Sequence, residues 1–472
     1  MQGISCPSLR FRYVILSHKD DFSRTDNTMK KDTILSISKN SIRVRIGSKW
    51  AFFSTKKQTA VIAKDIVNTV VSMLDVPKYY GELAITALNA YSDISEQDLE
   101  NLLENLIEAD IVVADAGEER SNLQFVEIPE HPMLISIHPT HRCNLSCTYC
   151  YNSNHRNSYS GEERSLGEWE TLLDRLTAIG VKRFDVTGGE PLLRKDLFPV
   201  YRKLKCSGVE LELLTNGTLI NTIELANEIG DTFSRVSVSL DSYDKDEHDY
   251  CRGEGSHPKV IKAMELLAKA GVRWQAKGVL HGKNSGSVKR TKELVKGLGG
   301  LAYDLSIMVG PERESNQTYR DYYRAAVEKR VEDGEIDLFN YPEFDFNKKY
   351  GAPCSAARLE CAIDAAGAVY PCRVFLGTEF YSGNAFDEDF EHIWLQGTGL
   401  QKVREIDFTR LPKCGSCNYL RMCMGGCRAI AFLNTNQLYG EVDHFSCSLR
   451  KRKINNVIAR HIDKQLKEKE DS

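Results

Sequence analysis

Three cysteines in the first third of the chain have the type and spacing to do chemistry. They are spaced C-x3-C-x2-C, with Tyr149 before the last, and they are Cys143, Cys147 and Cys150. An iron–sulfur cluster normally takes four thiolates, so a compact set of three leaves one iron free to bind another molecule. Zinc is the alternative, but zinc sites usually close four ligands locally, and only Cys206 lies within about a hundred residues downstream. The spacing therefore favours a four-iron cluster that acts on a bound molecule.

This motif resembles that of the radical S-adenosylmethionine superfamily. The resemblance implies that S-adenosylmethionine binds the open iron of a 4Fe–4S cluster through its amino and carboxylate groups. It further implies that electron transfer from an external reductant, such as flavodoxin or ferredoxin, cleaves the cofactor to a 5′-deoxyadenosyl radical that abstracts hydrogen. Tyr149 is then expected at the cofactor site.

Apolar patterns around the motif predict alternating strands and helices. A short apolar run at 134–137 is predicted as a buried strand that leads into the cysteine loop. The strands predicted after it cover 182–187, 209–215, 235–240, 272–280 and 303–309, and the helices cover 166–179, 193–206, 220–229, 258–270, 287–297 and 317–332. Such alternation predicts parallel βα units. The units fall short of the eight of a closed barrel, which agrees with the partial (βα)6 TIM-like barrel that the resemblance implies for this α/β protein.

Unusual residues follow the predicted strands, at the ends where barrels of this kind place functional groups. After the second strand come Gly188, Gly189 and Glu190. Glycines let the backbone approach a ligand closely, and a carboxylate can hold an ammonium group. By resemblance to the superfamily, this element binds the amino group of S-adenosylmethionine.

The next two strands end in further polar residues. Asn216 can hydrogen-bond a ribose hydroxyl, and Ser239, Asp241 and Arg252 follow along the chain. Because a guanidinium offers a bidentate fork to a carboxylate, we expect all four residues at the cofactor site. Taken singly, such elements are ordinary turns, and a structural ion pair stays open for Asp241 or Arg252. No catalytic acid or base directed at a substrate can be assigned.

A second set of cysteines lies near the carboxyl terminus. Its eight members are Cys354, Cys361, Cys372, Cys414, Cys417, Cys423, Cys427 and Cys447. Eight thiolates match two fully ligated four-iron clusters, and structural zinc is the alternative for the run from Cys414 to Cys427. The layout resembles the SPASM domain, an auxiliary-cluster extension of radical enzymes that modify peptides.

The SPASM resemblance divides these cysteines between two auxiliary 4Fe–4S clusters. The inner cluster, nearer the active site, would use Cys354, Cys361, Cys372 and Cys427. The outer cluster would use Cys414, Cys417, Cys423 and Cys447. Whether Cys361 is a ligand stays open, because some relatives lack a cysteine at this place and leave an iron open.

Composition limits the class of protein. The chain has 472 residues, is 42% hydrophobic and carries a net charge of −4, which allows two or three domains with real cores. Acids and bases are intermixed, so nothing favours nucleic acid, and no apolar run approaches the ~18 residues of a membrane span. The apolar run at 13–16 is too short for a signal peptide. Because the cysteines are better explained as cluster ligands than as disulfides, we expect a cytoplasmic protein.

The amino-terminal third is predicted to hold a winged-helix-like module at 31–114, preceded by disorder at 1–30. Met29 begins the patterned region, so it is an alternative start. Within the module, strands are predicted at 34–38, 42–46, 50–54 and 111–113, and helices at 59–74, 80–90 and 95–108.

This order of elements resembles the leader-peptide recognition domain of radical peptide maturases, which is similar to the small chaperone of pyrroloquinoline quinone synthesis. DNA binding is the alternative function of a winged helix. The helix at 95–108 carries acidic residues and no Lys or Arg, and phosphate would repel it. Peptide binding is therefore favoured.

The remaining domains follow in chain order. They are a linker at 115–130 that makes the module separable, the barrel at 131–333, a bridge at 334–351, the cluster domain at 352–450 and a helix or tail at 451–472. The combination resembles maturases of ribosomally made peptides, nearest to the sactipeptide synthases, which join a cysteine sulfur to an α-carbon. A leader would add a strand to the module and raise the effective concentration of the core peptide.

Three alternatives to this function stay open. The first is another radical modification of a peptide, such as a β- or γ-thioether, a carbon–carbon crosslink or epimerisation. The second is maturation of an anaerobic sulfatase. The third, from another class, is a non-catalytic cluster-based sensor or peptide carrier.

Overall fold

The computed structural model describes residues 12–16, 29–46, 49–57, 59–63, 65–115, 128–150, 152, 163–281, 283–307, 354–442 and 444–470. The helix predicted at 317–332 and the bridge predicted at 334–351 lie outside these ranges. Within them, no helix is both long enough and apolar enough to cross a membrane.

The amino-terminal part contains short strands and three helices among its described residues. The strands are β1 Arg12–Leu16, β2 Ile34–Ile37, β3 Ser41–Ile46, β4 Lys49–Ser54, β5 Thr59–Ala63, β6 Lys78–Tyr79 and β7 Val112–Ala114. The helices are α1 Asp65–Met73, α2 Tyr80–Ala90 and α3 Glu96–Glu108. Two sheets result, with strand orders β1-β5-β4-β3 and β6-β2-β7.

Local sequence explains why α3 begins and packs where it does. Ser95 and Asp98 form a capping box, which satisfies free N–H groups at the helix start. The buried residues recur at helical spacing and are Leu99, Leu102, Leu103 and Leu106. They pack in one core with α1, α2 and the inner face of β5.

Two predictions for this region are wrong. Residues 59–63 were predicted as helix but form strand β5, and residues 12–16, within the segment predicted to be disordered, form strand β1. The sequence of β5 is a continuous apolar run, and periodicity alone cannot distinguish a short buried strand from a helix. The pairing of β1 with β5 joins distant parts of the chain, so no local pattern signals it.

The barrel is the expected open parallel sheet. Its strands are β8 Leu134–Ile137, β9 Arg183–Val186, β10 Glu210–Thr215, β11 Arg235–Ser239, β12 Trp274–Leu280 and β13 Tyr303–Ile307. Its helices are α4 Leu166–Ala178, α5 Phe198–Cys206, α6 Ile223–Thr232, α7 Lys245–Arg252, α8 Ser256–Lys269 and α9 Val288–Gly297. Adjacent strands from β8 to β13 pair in parallel. The predicted α/β class and partial barrel are confirmed; α7 was not predicted.

The cysteine-rich part extends the same sheet. Strands β14 Glu360–Ile363 and β15 Val369–Tyr370 follow β8 at the edge opposite β13. β14 is parallel to β8, with Cys361 opposite Ile135. The barrel and the cluster domain therefore share one sheet.

Five helices complete the described carboxyl-terminal part. They are α10 Phe390–Gln396, α11 Thr398–Arg404, α12 Leu420–Cys423, α13 Arg428–Thr435 and α14 His444–Glu470. α14 begins before the predicted helix or tail at 451–472. Its buried residues Ile454, Ile458 and Ile462 pack against the outer face of the β3–β5 sheet, in one cluster with Ile42 and Ile62.

The amino-terminal sheet thus lies between two helical layers. One face packs on α1–α3 through Phe52 and Val61, and the other packs on α14 through Phe53 and Ile62. The sequence predicted a separable module on a linker. The structure instead buries one of its faces against the carboxyl-terminal helix, so removing the module would expose that helix.

We predict that Ile458→Ala lowers the free energy of unfolding by about 2–5 kcal/mol, because it leaves a cavity between α14 and the sheet. Asn456 is exposed on the same helix. Asn456→Ala is the matched control and should stay within about 0.5 kcal/mol of the parent protein. Urea denaturation followed by fluorescence measures both variants, and equal losses would contradict this packing.

Candidate active site

The cysteine loop follows β8 and is held by backbone hydrogen bonds. The Thr148 N–H donates to the Cys251 carbonyl over 2.8 Å, which ties the loop to α7. Burial raises the pKa of Cys147 to about 11, the nearby Arg252 charge opposes this, and ionised Cys143 or Cys150 would raise it further. Both Cys143 and Cys150 therefore lie near Cys147. Iron binding must displace their protons, and the adjacent cation favours the thiolate form.

Two glycines let the turn after β9 pack directly on the cysteine loop. A Cβ on Gly189 would overlap the carbonyl oxygen of Arg142. The Gly189 N–H donates to the Thr140 carbonyl over 2.9 Å, and the Glu190 N–H donates to the Arg142 carbonyl over 2.8 Å. Gly188 has a φ of +121°, which side chains rarely adopt. The backbone contact therefore requires both glycines.

Glu190 connects the ends of two barrel strands. Its buried carboxylate accepts hydrogen bonds from Leu192 N at 3.1 Å, Thr215 Oγ1 at 2.7 Å and Asn216 N at 2.8 Å. Burial raises the pKa of Glu190 to about 7, while these bonds favour its charged form. In the structure, Glu190 positions Asn216 through this hydrogen bond. The predicted contact of Glu190 with an ammonium group stays a prediction.

Asn216 contacts the cysteine loop. Its Nδ2 donates to Asn144 Oδ1 over 2.9 Å and lies 3.8 Å from Cys143 Sγ. Its Oδ1 accepts from Thr218 N at 2.9 Å and Thr218 Oγ1 at 2.6 Å. This network orients the amide toward the thiols, at the place where the sequence predicted a cofactor contact.

Asp241 and Arg252 form a buried, bidentate ion pair. Arg252 Nε lies 2.8 Å from Asp241 Oδ2, and the second bond, Nη2 to Oδ1, is 3.0 Å. Tyr149 also donates to Asp241 Oδ2, and the guanidinium lies 5.4 Å from the centre of the Tyr149 ring. Although burial opposes it, Arg252 holds the pKa of Asp241 below its ordinary value. The structure thus shows the ion pair that the sequence analysis gave as an alternative for these residues. Their direct contacts with the cofactor stay predictions.

Ser239 and two residues that the sequence reasoning missed complete this end of the barrel. Ser239 is half-buried at the end of β11. Asn284 Nδ2 donates to the carbonyls of Asp241 at 2.8 Å and Val279 at 2.9 Å. The His281 ring is buried, and within the described residues neither of its nitrogens has a hydrogen-bond partner. The sequence did contain a signal for His281, because a histidine directly follows the apolar end of β12, where such barrels place functional residues.

The inner face of the barrel is polar. Along β10, Leu211 and Leu213 enter the core beneath the helices, so strand alternation turns Glu212 to the inner face. Glu212 accepts hydrogen bonds from Ser237 at 2.5 Å, Gln275 at 3.3 Å and Lys277 at 3.1 Å. Burial opposes ionisation, but the Lys277 charge, the Ser237 hydrogen bond and the paired Arg235 lower the pKa of Glu212 to about 2.

This polar inner face departs from the Val, Ile and Leu packing that fills typical barrels. The sequence carried a signal, because parallel strands buried on both faces normally form continuous apolar runs. Glu210–Thr215 alternates instead, as Glu-Leu-Glu-Leu-Leu-Thr. The alternation predicts polar groups on the inner face of the sheet.

Three auxiliary cysteines line a pocket in the carboxyl-terminal part. They are Cys354, Cys372 and Cys427, and Arg358 and Arg428 line the same pocket among apolar side chains. Burial raises the pKa of Cys354 to about 11, and an ionised Cys427 would raise it further. Grouped thiols with two arginines suit an anionic iron–sulfur cluster.

Cys361, the fourth cysteine of the expected inner set, is not among the residues that line this pocket, and its role as a ligand stays open. It lies on β14 and belongs to the hydrophobic core with Ile135 and Ile363, fully buried. Strand alternation sends its side chain to the helix-packed face. The neighbouring ionisable groups that act on it are Glu360 and Arg404, not another cysteine.

The outer cysteines form a separate group. Cys414 lies close enough to Cys417, Cys423 and Cys447 for each to raise its pKa, although burial has the larger effect. The backbone also closes the loop, since Cys417 N donates to the Cys414 carbonyl over 2.9 Å. The structure therefore brings together the four cysteines of the predicted outer cluster.

In the described part of the chain, no three His, Cys, Asp or Glu side chains converge on a point suited to a single metal ion. A four-iron cluster distributes its cysteines over different irons. It therefore requires no such convergence.

The partial barrel, the cysteine loop and the two further cysteine groups define a radical S-adenosylmethionine enzyme with an auxiliary-cluster domain. Residues 137–295 match the family model described as Radical SAM superfamily, and residues 354–418 match the SPASM model, described as an iron-sulfur cluster-binding domain. The chain therefore contains a stretch that matches the radical SAM model, followed by a stretch that matches the SPASM model. Its cofactors are S-adenosylmethionine, a 4Fe–4S cluster and auxiliary iron–sulfur clusters.

Several curated proteins are similar in sequence. The AdoMet-dependent heme synthase of Methanosarcina barkeri is 28% identical over 342 residues, which cover 66% of this chain and 95% of that protein. Mycofactocin maturase MftC of Mycolicibacterium smegmatis is 27% identical over 340 residues, or 67% of this chain and 83% of that protein. PqqA peptide cyclase of Granulibacter bethesdensis is 25% identical over 339 residues, or 68% and 88%.

A solved structure is similar over more of the chain. Streptococcus suis SuiB bound to its precursor peptide SuiA has a TM-score of 0.53 at 17% identity, and the match covers 87% of this chain and 99% of that chain. At this identity the likeness supports the fold alone.

We predict that Cys361→Ala keeps the full iron and sulfide content of the reconstituted protein, because its side chain lies outside the pocket. Cys372→Ala should lose the share of one cluster, since it removes a pocket thiol. Iron and acid-labile sulfide per chain, with electron paramagnetic resonance of the reduced protein, measure both. Equal iron loss in both variants would restore Cys361 as a ligand.

We predict that Asp241→Asn lowers the free energy of unfolding by about 3–5 kcal/mol, because it leaves the Arg252 charge buried without its partner. The double variant Asp241→Asn/Arg252→Met removes that charge and should recover much of the loss. Thermal denaturation measures the three proteins. A double variant less stable than the single variant would contradict the ion-pair interpretation.

Proposed function

We propose that this enzyme modifies a ribosomally synthesised precursor peptide and joins a cysteine sulfur to an α-carbon. The observation that carries the proposal is the direct contact between the amino-terminal module and the cluster domain. Asn418 Nδ2 donates to the Ser41 carbonyl over 3.0 Å, and Arg421 Nε donates to Asn40 Oδ1 over 3.0 Å. A module whose sheet edge can add a peptide strand therefore stands beside the loop that carries the outer cysteines.

The inner face of the barrel supports a peptide as the substrate class. Glu212, Gln275 and Lys277 place an acid, an amide and a base on neighbouring strands. Glu212 and Gln275 are buried and bond one another, whereas the partly exposed ammonium of Lys277 can also donate to a peptide carbonyl. A wholly apolar face would offer the peptide backbone no partner, and unpaired amides are costly to bury.

The relatives agree with this substrate class. MftC is named as a maturase and PqqA peptide cyclase as acting on a peptide, and SuiB was solved with a precursor peptide. The thioether bond is the finer part of the proposal. It is supported by the auxiliary cysteine groups and the module together, which resemble the arrangement in sactipeptide synthases.

The chain's own residues would hold and orient the reactants. Cys143, Cys147 and Cys150 would ligate the radical cluster, and Asn216 would contact the cofactor bound there. When bound, S-adenosylmethionine supplies a hydrogen-abstracting radical, and the auxiliary clusters supply an electron acceptor. The buried ion pair beneath the cysteine loop fixes the site, so little of it must reorganise during the reaction. An external reductant such as flavodoxin or ferredoxin is part of the proposal.

A second function is favoured by one finding, the similarity to AdoMet-dependent heme synthases. It would make the substrate a tetrapyrrole. The alignment to the Methanosarcina barkeri protein covers 66% of this chain, about as much as the alignments to MftC and PqqA peptide cyclase, so coverage does not separate the two functions. A tetrapyrrole substrate would leave the proposed strand addition to the amino-terminal module without a role, so we prefer the peptide.

The test is to incubate the anaerobically reconstituted enzyme with dithionite, S-adenosylmethionine and the small peptide encoded beside its gene. We predict 5′-deoxyadenosine together with a peptide mass loss of a pair of hydrogens for each crosslink, located by fragmentation at a cysteine and an α-carbon. Replacing Cys143, Cys147 and Cys150 together by Ala should abolish both products, because thiolate ligation is lost. A haem precursor tested in parallel should remain unchanged, and its conversion in place of the peptide would overturn the proposal.

A further inference from the structure

Strand β5 lacks the features that protect the edge of a sheet. Its sequence, Thr-Ala-Val-Ile-Ala, has no charge and no proline. Its residues 60–63 are buried, with Val61 and Ala63 in the core of α1–α3 and Ala60 and Ile62 in the core with α14. An edge strand of this kind would invite pairing with another chain. We therefore expect β5 to be covered by a further strand.

The opposite edge of the same sheet is built differently. Strand β3 carries two exposed arginines, Arg43 and Arg45, which alternate with its buried residues. Arg43 lies over the Trp50 ring at 4.2 Å and donates to Asn68 Oδ1 over 2.6 Å. Charged residues are a common protection of an edge strand. Of the two edges, the β5 edge therefore lacks protective charges, whereas the β3 edge has them.

The chain itself occupies that edge. Residues Arg12–Leu16 form β1 and pair in parallel with β5 along its whole length, from Arg12 opposite Thr59 to Leu16 opposite Ala63. In the described sheet β1 has one neighbour, β5, and so it is the terminal strand. A terminal strand can be replaced by another extended segment without breaking any other pairing.

We propose that Arg12–Leu16 occupy the β5 edge in the free enzyme as an internal competitor of the leader, which the proposed function docks on this module by strand addition. The inference rests on the proposed function for the identity of the leader. The partner it fits is an extended segment of at least five residues with uncharged β-branched or aromatic side chains, like the Tyr-Val-Ile-Leu of β1. Leader binding then requires the release of β1.

The tether gives β1 an advantage over a free peptide. A segment on the same chain acts at a high effective concentration, on the order of millimolar for a short flexible connection. The apparent affinity for a leader is reduced by the fraction of molecules whose edge is free. Removing β1 should therefore tighten leader binding and leave the docking edge itself intact.

The first experiment tests the edge without a precursor peptide. The probe is a fluorescent synthetic peptide of residues 11–17 of this chain, and the proteins are the full chain and a chain that begins at Met29. We expect the shortened protein to bind the probe at least about tenfold more tightly, since an edge that is free a tenth of the time weakens binding by that factor. Equal affinities would overturn the self-occupancy of the edge.

A second variant and a second measurement distinguish the loss of β1 pairing from misfolding of the shortened chain. The double variant Val14→Pro/Ile15→Pro removes two N–H groups of β1 and should bind the probe as the shortened chain does. Ser23→Pro/Arg24→Pro is the matched control and should behave as the full chain. Hydrogen exchange of the β5 amides that face β1, which alternate with those bonded to β4, should be slow in the full chain, fast in the shortened chain and slow again with the probe; unchanged exchange of these amides would contradict the pairing.

The final arm uses the peptide encoded beside the gene. Its leader should displace the probe from the shortened chain and should bind the full chain more weakly by a similar factor. If the peptide is modified but does not displace the probe, docking at this edge is wrong while the proposed function stands. If it is neither modified nor able to displace the probe, the proposed function has failed, and the leader assignment fails with it.

Discussion

The carboxylate of Asp241 holds together the part of the barrel on which the cysteine loop depends. It accepts hydrogen bonds from Arg252 on α7, from Tyr149 in the cysteine loop and from the backbone N–H of Val279 on β12, the last over 2.9 Å. The backbone carbonyl of Asp241 accepts a hydrogen bond from the Tyr303 hydroxyl of β13 over 3.1 Å. A buried ion pair costs desolvation and adds little net stability. Its value here is specificity, since one carboxylate fixes the relative positions of α7, the cysteine loop and β12.

The glycine turn after β9 acts on the other side of the same loop. Gly189 allows backbone contact with Arg142, and Glu190 carries this position on to Asn216 at the end of β10. The cysteine loop is therefore held between two buried carboxylates that differ in protonation behaviour. Burial dominates at Glu190 and raises its pKa to about 7, whereas a paired arginine keeps Asp241 charged. Both prearrange the loop before any cofactor binds, which reduces the cost of ordering it on binding.

The sequence was sufficient where chemistry requires fixed spacing or a long periodic pattern. Cysteine spacing identified the cluster loop, and alternating apolar runs identified the six barrel strands. It failed where the deciding contact joins distant segments. Nothing near Thr59–Ala63 shows that β1 will pair with it, and nothing near Cys361 shows that β14 will join β8 and turn this side chain into the core. Those outcomes depend on strand register, in which a shift of one residue exchanges the two faces.

The cluster domain is bound to the rest of the chain on two sides. Strand β14 joins it to the barrel, while Asn418 and Arg421 join it to the turn before β3. Asn418 follows Cys417 directly, and Met422 and Cys423 pack into the core between the sheet and α14. Metal binding and folding are coupled wherever the ligands lie on loops. The outer cysteine loop and the amino-terminal sheet therefore share one packed core, and that core includes Cys423, a predicted ligand of the outer cluster.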